Sequence, residues 1–162
     1  MRQMHFYRIA GALILVLSGV GGAYMMNSAA SEKLRQSEAL GALLRFIRAQ
    51  IECFAMPASE ILARCDRGLL RECGYCKDSP PESFEALLAG LSFSDAETAE
   101  IMAAFLSGFG KSYRDEQIRE CDYYIALLRE RAQKLGEELP NRRKVNSALC
   151  VSSALAAVIL LL

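Results

Sequence analysis

The sequence "CGYC" places two thiols, Cys73 and Cys76, three positions apart, and the chain holds six cysteines in all. That spacing suits a redox couple, because a neighbouring cation or helix N-terminus lowers a thiolate pKa. It also suits half of a zinc site. The zinc reading wants two more ligands at a recognisable spacing, but there is no second CxxC, and the single histidine is His5 near the N-terminus. Cys53, Cys65 and Cys121 could join the pair only through the fold. A thioredoxin-type motif sits in a βαβ setting, and nothing in this chain supplies one. Incidental or small-core cysteines are the reading taken for Cys73 and Cys76, with a redox pair and a metal site as the alternatives. No cofactor is expected, and the thiols are expected to be free.

Other catalytic constellations are missing. The central part of the chain has no histidine, so a Ser-His or Cys-His nucleophile has no base. "GFGKS", Gly108 to Ser112, lacks the four-residue gap that precedes Gly-Lys-Ser in a phosphate-binding loop. Asp115 and Glu116 are adjacent and point to different sides of a helix, as solvated acids do. A non-enzyme is expected, and surface is what remains. From Asp78 to Gly110 there are six acids (Asp78, Glu82, Glu85, Asp95, Glu97 and Glu100) and no basic residue. Such a face could dock a basic partner through electrostatic complementarity, or it could be ordinary solvated surface.

The elements that must position these residues read as helices. From Asn27 to Lys144 there is no valine, one threonine (Thr98) and six isoleucines, whereas Leu, Ala, Glu and Arg abound. Straight-chain residues lose little rotamer freedom in a helix, while β-branched residues favour sheets. Leu40, Leu43, Leu44, Ile47, Ile51 and Phe54 form one stripe on a 3.6-residue period, and Ile118, Cys121, Ile125, Leu128, Ala132 and Leu135 form another. "SDAE", Ser94 to Glu97, has the form of a capping box that opens a helix presenting Ile101, Phe105 and Phe109 and ending near Gly108 and Gly110. "MPASEILARC" reads as a short helix with Pro57 in its first turn, and "PESFEALLAGL" as another. Pro140 predicts a bend in the last helix, because it removes a backbone hydrogen bond. The expected fold is all-α, a small antiparallel bundle of about five helices.

Two apolar runs flank that bundle, Ile9 to Met26 and Val145 to Leu162, each 18 residues without a charge. At about 1.5 Å per residue each just reaches across a hydrocarbon core of roughly 30 Å. They are expected to be transmembrane helices, residues 9–26 and 145–162, after a short flank at 1–8 and around a middle domain at 27–144. A cleaved signal peptide is the alternative for the first run. A lipid-anchor signal for the second lacks its polar spacer. Arg142, Arg143 and Lys144 abut the second run, so positive-inside bias would hold the middle domain in the cytosol. That middle carries 17 of the 19 basic residues and all 19 acids, 17 − 19 = −2. No basic excess points to nucleic acid. Small residues at Ser18 and Gly22, and at Ser153 and Ala157, would permit close helix approach, within the chain or in a homo-oligomer.

The order of these features resembles the stage III sporulation protein AB family. The resemblance is carried by "SEKLRQSEALGALLRFIRAQIECFAMPASEILARC" and "LSFSDAETAEIMAAFLSGFGKSYRDEQIREC", and most sharply by Gly110-Lys111-Ser112 followed by Gln117-Ile118. An arginine- and leucine-rich helix then feeds the apolar tail. Tyr113 stands where the family pattern often has an aspartate, and the CxxC segment is not part of that pattern. The resemblance implies a domain like that of type II secretion and type IV pilus platform proteins, in the mother-cell membrane facing the forespore. It implies a scaffold in a multi-protein channel complex of stage III sporulation proteins, with a secretion-type ATPase as partner and no catalytic residues. Gly110, Ser112 and Gln117 join Glu82, Glu85, Asp95, Glu97 and Glu100 as partner-binding candidates.

Overall fold

The computed structural model describes residues 2–54, 58–110 and 113–161. Two long helices, α1 (Arg2–Phe54) and α6 (Arg114–Leu161), enclose four shorter ones: α2 (Ala58–Ala63), α3 (Arg67–Glu72), α4 (Phe84–Gly90) and α5 (Ala96–Gly108). Among the described residues the only strand-like pairing is one antiparallel bridge, Tyr75 to Leu91. The all-α reading therefore holds. The helix at α3 was not expected. Asp66 opens it by accepting from the Leu69 amide at 3.0 Å, but Gly68 and a length of six residues hide its period in the sequence.

The chain divides into two compact units. Unit 2, Glu32–Leu135, holds the core. Its two long helical segments run antiparallel: Ser37 Oγ donates to the Leu128 carbonyl at 3.2 Å, and Arg48 Nε meets Asp122 at 2.6 Å. Leu40, Leu43, Leu44 and Ile47 of α1 are fully enclosed, together with Cys121 and Leu128 of α6. The shorter helices close the other side through Ile61, Leu62, Leu87, Met102 and Phe105. Phe54, at the end of the expected stripe, is instead exposed. There Arg114 donates to the carbonyls of Ile51 and Glu52, satisfying acceptors that the end of α1 leaves free.

Unit 1 comprises Met1–Ser31 and Gly136–Leu162. Its two segments also run antiparallel, with Asn146 donating to Asn27 Oδ1 at 3.4 Å and Arg143 to Ser31 Oγ at 2.9 Å. Leu17, Val20, Tyr24, Val151 and Leu155 remain more than half exposed. Two helices share one face, so apolar residues elsewhere on them have nothing to bury against. A Cβ added at Gly22 would meet nothing within 4 Å, so no other part of this chain approaches closely at that glycine. Pro140 does not interrupt α6, which runs on as one helix. The carbonyl deprived of its partner is that of Gly136, where unit 1 resumes.

The membrane assignment is corrected. Among the described residues no helix is long and apolar enough to cross a membrane. This overturns the expectation of an integral membrane protein with spans at 9–26 and 145–162 and a cytoplasmic domain between them. Both runs form helix over their described residues, 9–26 and 145–161. Their length of 18 residues is at the lower limit for spanning.

Candidate docking surface

The eight partner-binding candidates separate by what they touch. Asp95 is engaged within the fold. It is buried, caps α5 by accepting from the Thr98 amide at 3.1 Å, and receives the Arg131 guanidinium through two bonds, Nε at 2.9 Å and Nη2 at 2.8 Å. The third nitrogen of Arg131 reaches Glu97 at 2.7 Å. This fork holds the Asp95 carboxyl at about 2, below its usual range, with burial opposing and the Thr98 bonds assisting. Asp95 and Glu97 thus pin the start of α5 to α6. The expected capping box is displaced by one residue. Asp95 rather than Ser94 supplies the capping oxygen, and the Ser94 amide, the expected partner of Glu97, is taken by Gln36 Oε1 at 2.8 Å while Glu97 faces Arg131.

Glu82, Glu85 and Glu100 point outward. Glu82 precedes the Ser83 cap of α4, Glu85 lies in the first turn of α4, and Glu100 lies on α5. All three are exposed and make no ion pair among the described residues. Gly110 is exposed at φ 88°, a left-handed turn after α5 that a side chain would strain. Gln117 is half-buried in the first turns of α6 and its amide bonds the Tyr113 carbonyl at 2.9 Å. Ser112 lies outside the described residues.

The CxxC pair is part of a latch. Cys73 is fully buried and its thiol is pushed up to about 12 by desolvation, then by Cys65 and Glu72. Cys76 is exposed, its thiol directed at the Gly74 carbonyl at 3.3 Å. Between them Gly74 turns at φ 91°, where a Cβ would fall 2.4 Å from both Gln36 Nε2 and the Ser92 carbonyl. Tyr75 packs so closely on Gly90 that a Cβ there would come within 2.3 Å of its ring. Backbone bonds Cys76 to Gly90 (3.0 Å) and Ser92 to Gly74 (2.9 Å) close the latch. Gln36 of α1 locks it from beneath, donating to the carbonyls of Cys73 at 2.9 Å and Ser92 at 2.6 Å. Cys65 and Cys121 are likewise buried, with thiols raised to about 11 and about 12 by desolvation first. These three thiols stay protonated at neutral pH.

Gln36 and Arg131 are the positioning residues that the sequence reading missed. Gln36 sits one turn before Leu40, a polar side chain on the continuation of a buried stripe, and that interruption is the signal. Arg131 has no such mark, because Asp95 is far from it in the chain.

These features define an all-helical protein whose polar clusters brace a core and whose free acids face outward. The family model for stage III sporulation protein AB matches residues 8–162, and the chain belongs to that family. Its role accordingly lies in sporulation. Comparison with curated proteins and with solved structures finds no match.

Proposed function

We propose that the chain is a non-enzymatic scaffold subunit of a secretion-like channel complex in sporulation, and that it docks a secretion-type ATPase through Glu82, Glu85 and Glu100. One observation carries this reading: Glu85 and Glu100 stand exposed and unpaired on the consecutive helices α4 and α5, and Glu82 stands exposed and unpaired just before the Ser83 cap of α4. Fixed carboxylates on a braced scaffold steer a basic partner and set its register more than they add raw affinity. The scaffold role is consistent with the other polar groups. Gln36, Asp95 and Arg131 are spent on one another and on the backbone, and the buried thiols lack the thiolate that nucleophilic or redox chemistry uses. The thiol-dependent alternative draws no support from Cys73 and Cys76, one enclosed and the other outward.

The test is co-purification of the full chain with the ATPase, comparing wild type with the triple charge reversal Glu82→Lys, Glu85→Lys and Glu100→Lys. The variant keeps its fold and loses the partner. Equal recovery of the ATPase with both proteins removes these acids from the interface.

A further inference from the structure

We infer that a hollow beside α3 is an oxyanion site that takes a phosphate group, held by Arg67, Arg71 and Lys77. The hollow has room of about 100 Å³, several times the roughly 10–15 Å³ that one water needs. The three cations line it together with Tyr75, Asp78 and Ser79. None of the three makes an ion pair among the described residues, whereas Arg48, Arg64, Arg131, Lys134 and Arg142 each meet a carboxylate. Arg67 and Arg71 are four positions apart on one helix, a like-charge pairing that costs a few tenths of a kcal/mol unless an anion lies between them. Lys77 is brought to the same place by the latch. Gly74 reverses the chain at φ 91°, and the Cys76 amide bonds the Gly90 carbonyl immediately before the lysine. The site is therefore assembled by the fold from α3 and the loop after it, on the braced part of unit 2.

The chemistry favours phosphate over a simple carboxylate. Three cations and the Asp78 carboxylate leave a local charge of about +2, the complement of a phosphate near neutral pH, which carries −1.5 to −2. Guanidinium forks present paired N–H donors that match phosphate oxygens, the ammonium adds a point charge, and Ser79 supplies a hydroxyl donor. Inorganic phosphate and a phosphate ester share this group. The site is independent of the acids proposed to dock the ATPase.

The test is isothermal titration calorimetry of the full chain with inorganic phosphate and, separately, with adenosine monophosphate. Saturable phosphate binding is expected, weakened by added salt. Arg71→Gln and Lys77→Gln each reduce the affinity about tenfold without lowering the melting temperature in the absence of phosphate, while Arg129→Gln, at an exposed position of α6 outside the hollow, leaves the affinity unchanged. Binding of both ligands marks an ester site, and binding of phosphate alone marks a site for the free ion. No saturable phosphate binding, binding of the nucleotide alone, or equal affinity in Arg71→Gln and Lys77→Gln would overturn the assignment.

Discussion

The same two helices behave oppositely in the two units. In unit 2, α1 buries Leu40, Leu43, Leu44 and Ile47 completely, because α2 to α6 cover its stripe. In unit 1, α1 leaves Leu17, Val20 and Tyr24 exposed, and α6 does the same with Leu149 and Leu155. Leucine is leucine in both. What differs is the number of neighbours, so the apolar character of a residue does not decide whether it stabilises the fold. The polar residues follow the same division. In unit 2 the covering helices desolvate Gln36, Asp95 and Thr98, and each is then satisfied by a specific partner. In unit 1 the segments meet through polar contacts such as Asn146 to Asn27 and Arg143 to Ser31.

The contrast breaks most visibly at the core. Leu44→Ala should lower the unfolding free energy by about 3 kcal/mol, because it removes methyl groups from a site that cannot collapse fully. Leu149→Ala, at a residue 61% exposed, should stay within about 0.5 kcal/mol. Urea unfolding of the two variants checks this, and similar losses would mean that unit 1 buries its apolar residues after all. Next comes the brace. Arg131→Met strands the buried Asp95 carboxylate and should cost about 3 kcal/mol in the same assay.

A smaller effect follows from pH. The Asp95 carboxyl lies lower in the folded chain, at about 2, than its ordinary value of 3.8. The folded state therefore binds its proton less readily than the unfolded state does. The resulting stability, about 2 kcal/mol, is present above pH 4 and is lost as pH falls through 4 towards 2. Arg131→Met should flatten the melting temperature over that interval, whereas an unchanged slope would show that other carboxylates dominate.

Much of unit 2 could be read in advance. The α1 stripe, the placement of α5 and the helix at Phe84–Gly90 all follow from local period and capping chemistry. The failures have physical causes. The cap of α5 is Asp95 rather than Ser94, and the reciprocal bond expected from Glu97 is lost because Gln36, 58 residues away, claims the Ser94 amide. The sequence showed six acids as one face, but the burial of Asp95 and the pairing of Glu97 depend on Arg131 arriving from α6. The CxxC pair, read as incidental or small-core cysteines, sits in a latch that the motif does not announce, since the decisive contacts, Tyr75 on Gly90 and Gln36 beneath Gly74, lie outside it. The flanking runs were read as spans from the absence of charge and from a length that only just suffices.

The central claim is that the acids of α4 and α5 divide into braces and docking groups, and a paired measurement tests it most directly. Melting temperature and ATPase co-purification are to be measured side by side for Asp95→Asn and for the triple reversal Glu82→Lys, Glu85→Lys and Glu100→Lys. Asp95→Asn should lower the melting temperature while the folded fraction still binds, and the triple variant should melt like wild type and bind no ATPase. The opposite pattern, a stable Asp95→Asn protein that fails to bind and a triple variant that binds fully, would contradict the division.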